Sequence, residues 1–145
     1  MTQSNPLIPS KFLVTGSSGF IGTSLVNRLL NYGHIVYGLD IKYSKLSSPR
    51  YFHIHSDLLE TSSTELFEIT GNVDYVIHLA ARTDLDGSRL LDYNVNLLGV
   101  RVICDYAKIH DSVSLLFAST QLVNRLGDVS RSPLDYSPDS CYGLS

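Results

Sequence analysis

Three glycines mark the first place in this chain where chemistry is readable. In VTGSSGFIG, Gly16, Gly19 and Gly22 follow one another at three-residue steps. This is one residue longer than the usual dinucleotide fingerprint. Gly16 allows a tight turn out of a strand. Gly19 has no side chain, so a pyrophosphate can approach the backbone. Gly22 allows the following helix to pack closely. The helix FIGTSLVNRLLNYG would then turn free N–H groups and its positive end toward the phosphates, with Phe20 and Ile21 in its first turn. Asp40 follows eighteen residues after Gly22, at the end of YGLD. A carboxylate there accepts both hydroxyls of a ribose. It also suits the cap of a strand-end turn. Strand, loop, helix and acid together predict a dinucleotide site. The carboxylate repels a 2′-phosphate, which favours NAD over NADP; Lys42, two residues on, works against that preference.

These residues need strands to carry them. Five apolar runs recur along the chain: 11–16, 34–40, 51–55, 73–81 and 113–120. Most are continuous rather than alternating, the pattern of strands buried on both faces. Helical segments lie between most of them, so parallel βαβ units are expected. SSTE at 62–65 fits a capping box, and Gly71 fits the stop of that helix. The longest helix is predicted over 88–110. Leu91, Val95, Leu98, Val102, Tyr106 and Ile109 form one apolar stripe; Leu90, Leu97, Val100, Ile103 and Ala107 form another beside it. So broad a surface suggests burial on more than one side, against the sheet and against a second helix or subunit; an ordinary core helix under a loop is the alternative. The stretch 127–140, with Pro133 and Pro138, reads as a loop.

Composition narrows the partners. The 145 residues are enough for one domain, with 43% apolar and 17% charged residues. Net charge is -3, with no basic run, which argues against nucleic acid and anionic membranes. Cys104 and Cys141 match no metal or redox spacing and suit free thiols in a reducing cytoplasm. His53 and His55 alternate on one strand without a carboxylate to complete a metal site, and His78 suits a hydrogen-bonded core histidine. No metal is expected. The first ten residues lack the pattern of a signal peptide and read as a loose tail. The expectation is a cytoplasmic domain over 11–145.

From Lys11 to Ser145 the chain resembles the extended short-chain dehydrogenase/reductases, specifically the NAD-dependent epimerase/dehydratase family of nucleotide-sugar enzymes. VTGSSGFIG resembles the family's opening motif. SDLLE contains Asp57 and Leu58, which match an Asp-Leu contact with adenine. In VIHLAA the resemblance implies that Leu79, Ala80 and Ala81 line the cofactor. In NVNLLG it implies that Asn96 steadies the active-site loops. LLFASTQLV resembles the strand that delivers a catalytic hydroxyl, here Thr120. CYGLS resembles the start of a Tyr-x-x-x-Lys motif, which makes Tyr142 the general base and a contact of the cofactor. The implied fold is α/β, a Rossmann-type doubly wound parallel sheet.

Two departures qualify the match. Asn124 and Arg125 stand after QLV, where the family shows Tyr-Gly. The sequence ends at Ser145, one residue before the family's lysine. The expectation is therefore the NAD-binding part of an epimerase or dehydratase, without the C-terminal strands and substrate domain, and inactive in this form. A nucleotide-sugar is the expected substrate of the intact enzyme, with a homodimer through the helix at 88–110. Two alternatives stay open: a non-catalytic NAD-binding regulatory module, and a reductase of another small substrate.

Overall fold

A computed structural model describes residues 8–111, 113–132 and 134–145. The expected loose tail thus lies mostly outside the described residues, as does Pro133. At the tail's last residue, Ser10 donates its N–H to His34 Nδ1 (3.2 Å) and accepts from Ile35 N (3.0 Å).

Five parallel strands form one sheet. They are β1 (Lys11–Thr15), β2 (Ile35–Asp40), β3 (Tyr51–His55), β4 (Tyr75–His78) and β5 (Ser114–Phe117), in the order β3-β2-β1-β4-β5. The chain builds outward from β1 to one side, then returns to build β4 and β5 on the other. The reversal falls between β1 and β4, where open α/β sheets leave a crevice at the strands' carboxyl ends. Register is tight there: Thr15 pairs with both Leu39 and His78.

Helices cover both faces. Helix α1 (Phe20–Asn31) lies over a core of Phe12, Val14, Val26, Val36 and Tyr51. Helices α2 (Ser63–Thr70) and α3 (Asn94–Ile109) cover Leu13, Leu39, Leu66, Val76, Ile103 and Tyr106. The expected capping box forms. Ser62 Oγ accepts from Glu65 N at 3.1 Å, and Glu65 accepts from Ser62 N at 3.0 Å. The Ser62 N–H, and with it the Ser62 hydroxyl donating to the same oxygen at 2.7 Å, hold the Glu65 carboxyl below its ordinary range. Gly71 ends the helix with φ at 59°. A last short helix, α4, spans Cys141–Leu144.

Two expectations need correction. The segment 88–110 is not one helix. It begins as a 3₁₀ turn at Leu90–Tyr93 and becomes α-helical at Asn94. Its buried line runs through Asn96, Gly99, Ile103 and Tyr106 and cuts across both expected stripes. Leu91, Leu97 and Leu98 are exposed. The run 113–120 is not buried on both faces. All four residues of β5 are exposed, Phe117 by 58%.

Candidate functional site

The glycine loop leaves β1 through Gly16, whose φ is +69°. A Cβ on Gly16 would sit 2.8 Å from Ala80 N, so the loop rests against the end of β4. A Cβ on Gly22 would collide with the Gly16 carbonyl oxygen, so α1 is seated on the loop's own backbone. Gly19 differs. A Cβ there would meet only Gly16 O, at 3.2 Å, and the α1 N-terminus it caps has no side-chain hydrogen bond. The first-turn N–H groups are thus left for a ligand, as an anion site requires.

Asp40 ends β2 nearly buried. Its Oδ2 accepts from Ser18 N and its Oδ1 from Lys42 N, both at 2.8 Å. It therefore caps the turn. Each carboxylate oxygen keeps a second acceptor site, so capping does not prevent it from receiving a diol.

On the other side of the switch point, Thr15 organises the end of β4. Its Oγ1 accepts from Leu79 N (3.2 Å) and Ala80 N (3.1 Å). It lies 2.7 Å from His78 Nδ1 and donates its hydroxyl proton there. His78 is a hydrogen-bonded core residue, as its sequence context suggested. Burial pushes its pKa down to about 4. Nothing in the sequence singled out Thr15, because its partners lie more than sixty residues away.

These elements enclose a cleft of about 700 Å³. Every expected cofactor contact except Asn96 lines it: Gly16, Gly19, Phe20, Ile21, Gly22, Asp40, Asp57, Leu58, Leu79, Ala80, Ala81 and Tyr142. Arg82 and Thr83, not anticipated, line it too. A second cavity of about 320 Å³ adjoins it, sharing Leu79, Ala80, Ala81, Ala118, Ser119 and Tyr142. Thr120 and Asn96 line this second space, with Phe117, Val123, Tyr136 and Pro138.

Asn96 is a clamp between the two halves. Its Oδ1 accepts from Arg82 N (2.8 Å), and its Nδ2 donates to Arg82 O (3.1 Å) and Ser145 Oγ (2.8 Å). The loop beyond Arg82 is closed by charge. Arg82 pairs with Asp84 at 2.8 Å and donates to Asp92 O at 2.9 Å. The guanidinium bond holds the Asp84 carboxyl below its ordinary range. Fully buried Tyr93 donates to Asp84 O (2.9 Å), and its ring lies 6.0 Å from that of Tyr142.

Thr120 follows β5 and caps the 3₁₀ turn Gln121–Val123, accepting from Leu122 N at 3.2 Å. Tyr142 sits in α4, capped by Ser140 Oγ on Gly143 N (3.0 Å). No hydrogen bond holds the Tyr142 hydroxyl among the described residues. The departing pair is structural here: Asn124 accepts from Ser137 N (3.1 Å), and Arg125 lies 3.8 Å from Asp139. Among the described residues no group of three candidate ligands is arranged for a metal ion, and no helix is long and apolar enough to cross a membrane.

A parallel doubly wound sheet with a glycine loop, a strand-end acid and a crevice at the switch point defines a Rossmann-type dinucleotide-binding domain. The model of the NAD-dependent epimerase/dehydratase family matches residues 12–145, and the chain belongs to that family. It is 35% identical over 111 residues to UDP-glucose 4-epimerase of Mycolicibacterium smegmatis, covering 67% of this chain and 34% of that protein. It is 26% identical over 136 residues to sterol-4-alpha-carboxylate 3-dehydrogenase of Mus musculus, covering 87% and 37% respectively. The solved structure of MoeE5 in complex with UDP-glucuronic acid and NAD superposes with a TM-score of 0.79 at 27% identity, over 92% of this chain and 45% of that one. The chain thus spans less than half the length of these relatives.

Proposed function

We propose that this chain is the NAD-binding part of an enzyme that moves a hydride between NAD and a nucleotide-sugar, as in epimerisation or dehydration, with Tyr142 and Thr120 in its acid–base chemistry. One observation carries the reading: Tyr142 lines both the large cleft and the smaller cavity that holds Thr120. A base at that junction touches cofactor and substrate at once.

The residues fit a dinucleotide. Gly19 and the uncapped α1 terminus would receive the pyrophosphate. Asp40 would accept the adenosine ribose hydroxyls, and Asp57 and Leu58 would line the adenine end. Leu79, Ala80 and Ala81 would form the wall that the Thr15 hydroxyl holds in place. When bound, NAD supplies the hydride acceptor. Tyr142 would take the proton from the substrate hydroxyl, and Thr120 would hold that oxygen. Asn96 would keep Arg82 and the Ser145 end in register around them.

A second reading has its own support. The smaller cavity is lined by Phe117, Val123, Tyr136, Pro138 and Leu144, which suits an apolar ring as readily as a sugar. The sterol dehydrogenase similarity covers most of the chain. A reductase of a small apolar substrate is therefore the alternative.

The test is a pair of titrations and a pair of assays. NAD should bind the purified chain more tightly than NADP; the reverse order would refute the role given to Asp40. A nucleotide-sugar and a 3-hydroxysterol are then offered with NAD. Turnover by these 145 residues alone is expected to be negligible, because no described lysine or arginine bonds Tyr142. Joined to the second half of the Mycolicibacterium smegmatis epimerase, the chain should turn over the sugar, and Tyr142→Phe should abolish it. Turnover of the sterol only would select the alternative.

A further inference from the structure

The backbone that leaves β2 is pinned from three sides. His55, the last residue of β3, pairs in register with Asp40. Its Nε2 lies 2.9 Å from the Ile41 carbonyl oxygen. A carbonyl only accepts, so Nε2 carries the proton and donates it. The Tyr43 ring lies flat on the His55 ring, with centroids 3.9 Å apart and planes within 10°. From the other sides, Asp40 Oδ1 accepts from Lys42 N (2.8 Å), and Ser18 Oγ donates to Lys42 O (3.0 Å). Ile41 and Lys42 line the large cleft beside Asp57 and Leu58. His55 and Tyr43 do not.

We propose that His55, steadied by Tyr43, is a positioning residue for the adenosine half of the dinucleotide: its bond to Ile41 O fixes the Ile41–Lys42 backbone, and through it the Asp40 carboxylate that selects an unphosphorylated ribose. The inference rests on the NAD reading of the cleft. Because neither ring reaches the cleft, the effect passes through the loop. Loosening the loop costs NAD more than NADP. NAD depends on a fixed carboxylate, whereas a 2′-phosphate is repelled by that carboxylate and gains from a freer Lys42.

The experiment measures NAD and NADP dissociation constants for the full chain and three variants, with circular dichroism as the check of folding. His55→Ala should weaken NAD up to about tenfold, the upper worth of one ordinary hydrogen bond, and change NADP less than about twofold. His55→Gln keeps an N–H donor at the same reach and should recover NAD affinity to within about threefold of the parent. Tyr43→Leu alters an exposed ring and should cost NAD alone about threefold. Equal losses for both cofactors, no loss at all, or a Gln variant as weak as Ala would overturn the proposal. If His55→Ala does not fold, Tyr43→Leu carries the same NAD-against-NADP contrast. Failure of the parent chain to bind NAD would overturn the reading of the cleft itself, and this inference with it.

Discussion

Strand β1 buries Phe12 through Thr15 in the middle of the sheet, while β5, two strands away, leaves Ser114 through Phe117 exposed. Both hydrophobic clusters draw their strand residues from β1, β2, β3 and β4, and none of their buried members lies in β5. The glycine loop, Asp40 and the Leu79–Ala81 wall leave packed strands. Thr120 follows the open one, and Tyr142 stands on a helix of four residues. The lesson is that the expected cofactor contacts and the expected catalytic residues stand on unequal support: the former leave strands packed on both faces, the latter follow an exposed strand or sit on a helix of four residues.

The largest expected effect breaks that contrast if it fails. Leu13→Ala, at a fully buried position of β1, should lower stability by about 2–5 kcal/mol in urea unfolding. Leu116→Ala, at a position of β5 that is 51% exposed, should cost about 0.5 kcal/mol or less. Similar costs would mean that the central strand and the β5 edge are equally packed.

Acid sharpens the same contrast. His78 is buried with its pKa down at about 4, so the folded protein keeps it neutral while the unfolded chain protonates near pH 6.5. Its contribution is intact above pH 6.5 and is lost as pH falls toward 4. The loss approaches about 3 kcal/mol. Stability measured at pH 7 and pH 5 should differ by about 2 kcal/mol from this group, and His78→Gln should flatten that slope. An unchanged slope would mean that His78 does not titrate as its burial demands.

The smallest effects lie in the open half. Tyr142→Phe should change stability by less than about 0.5 kcal/mol, because no hydrogen bond holds its hydroxyl among the described residues, and Thr120→Ala should cost about 0.5–1 kcal/mol through its cap on Leu122 N. Tyr142→Phe should weaken NAD about fivefold through one lost hydrogen bond, and Thr120→Ala should leave NAD binding unchanged. Calorimetric titration reads both. A large loss from Thr120→Ala would join the two halves more closely than described here.

Much of the lining of the large cleft was legible because backbone geometry dictates it. Gly16 needs a positive φ, Gly22 has no room for a side chain, and Asp40 must end its strand to be useful. The five strands were legible from continuous apolar runs. The burial of β5 was not. Residue type records what a strand prefers to touch, and nothing in LLF says what covers it. The helix at 88–110 was misread for a related reason. Its buried line passes through Asn96 and Gly99, one clamping Arg82 and the other facing Leu58. A hydropathy pattern gives weight to neither. The Thr15–His78 bond and the His55–Ile41 bond were illegible because each joins residues that only the parallel register brings together.

NAD is expected to occupy the crevice at the β1–β4 switch point. The most direct measurement is an NMR titration of ¹⁵N-labelled chain with NAD, followed amide by amide. Saturable shifts should concentrate at Gly16–Gly22, Ile41–Lys42, Asp57–Leu58 and Leu79–Arg82, and should be lost on Asp40→Ala. Shifts confined to the 124–137 loop, or none at saturating NAD, would contradict it.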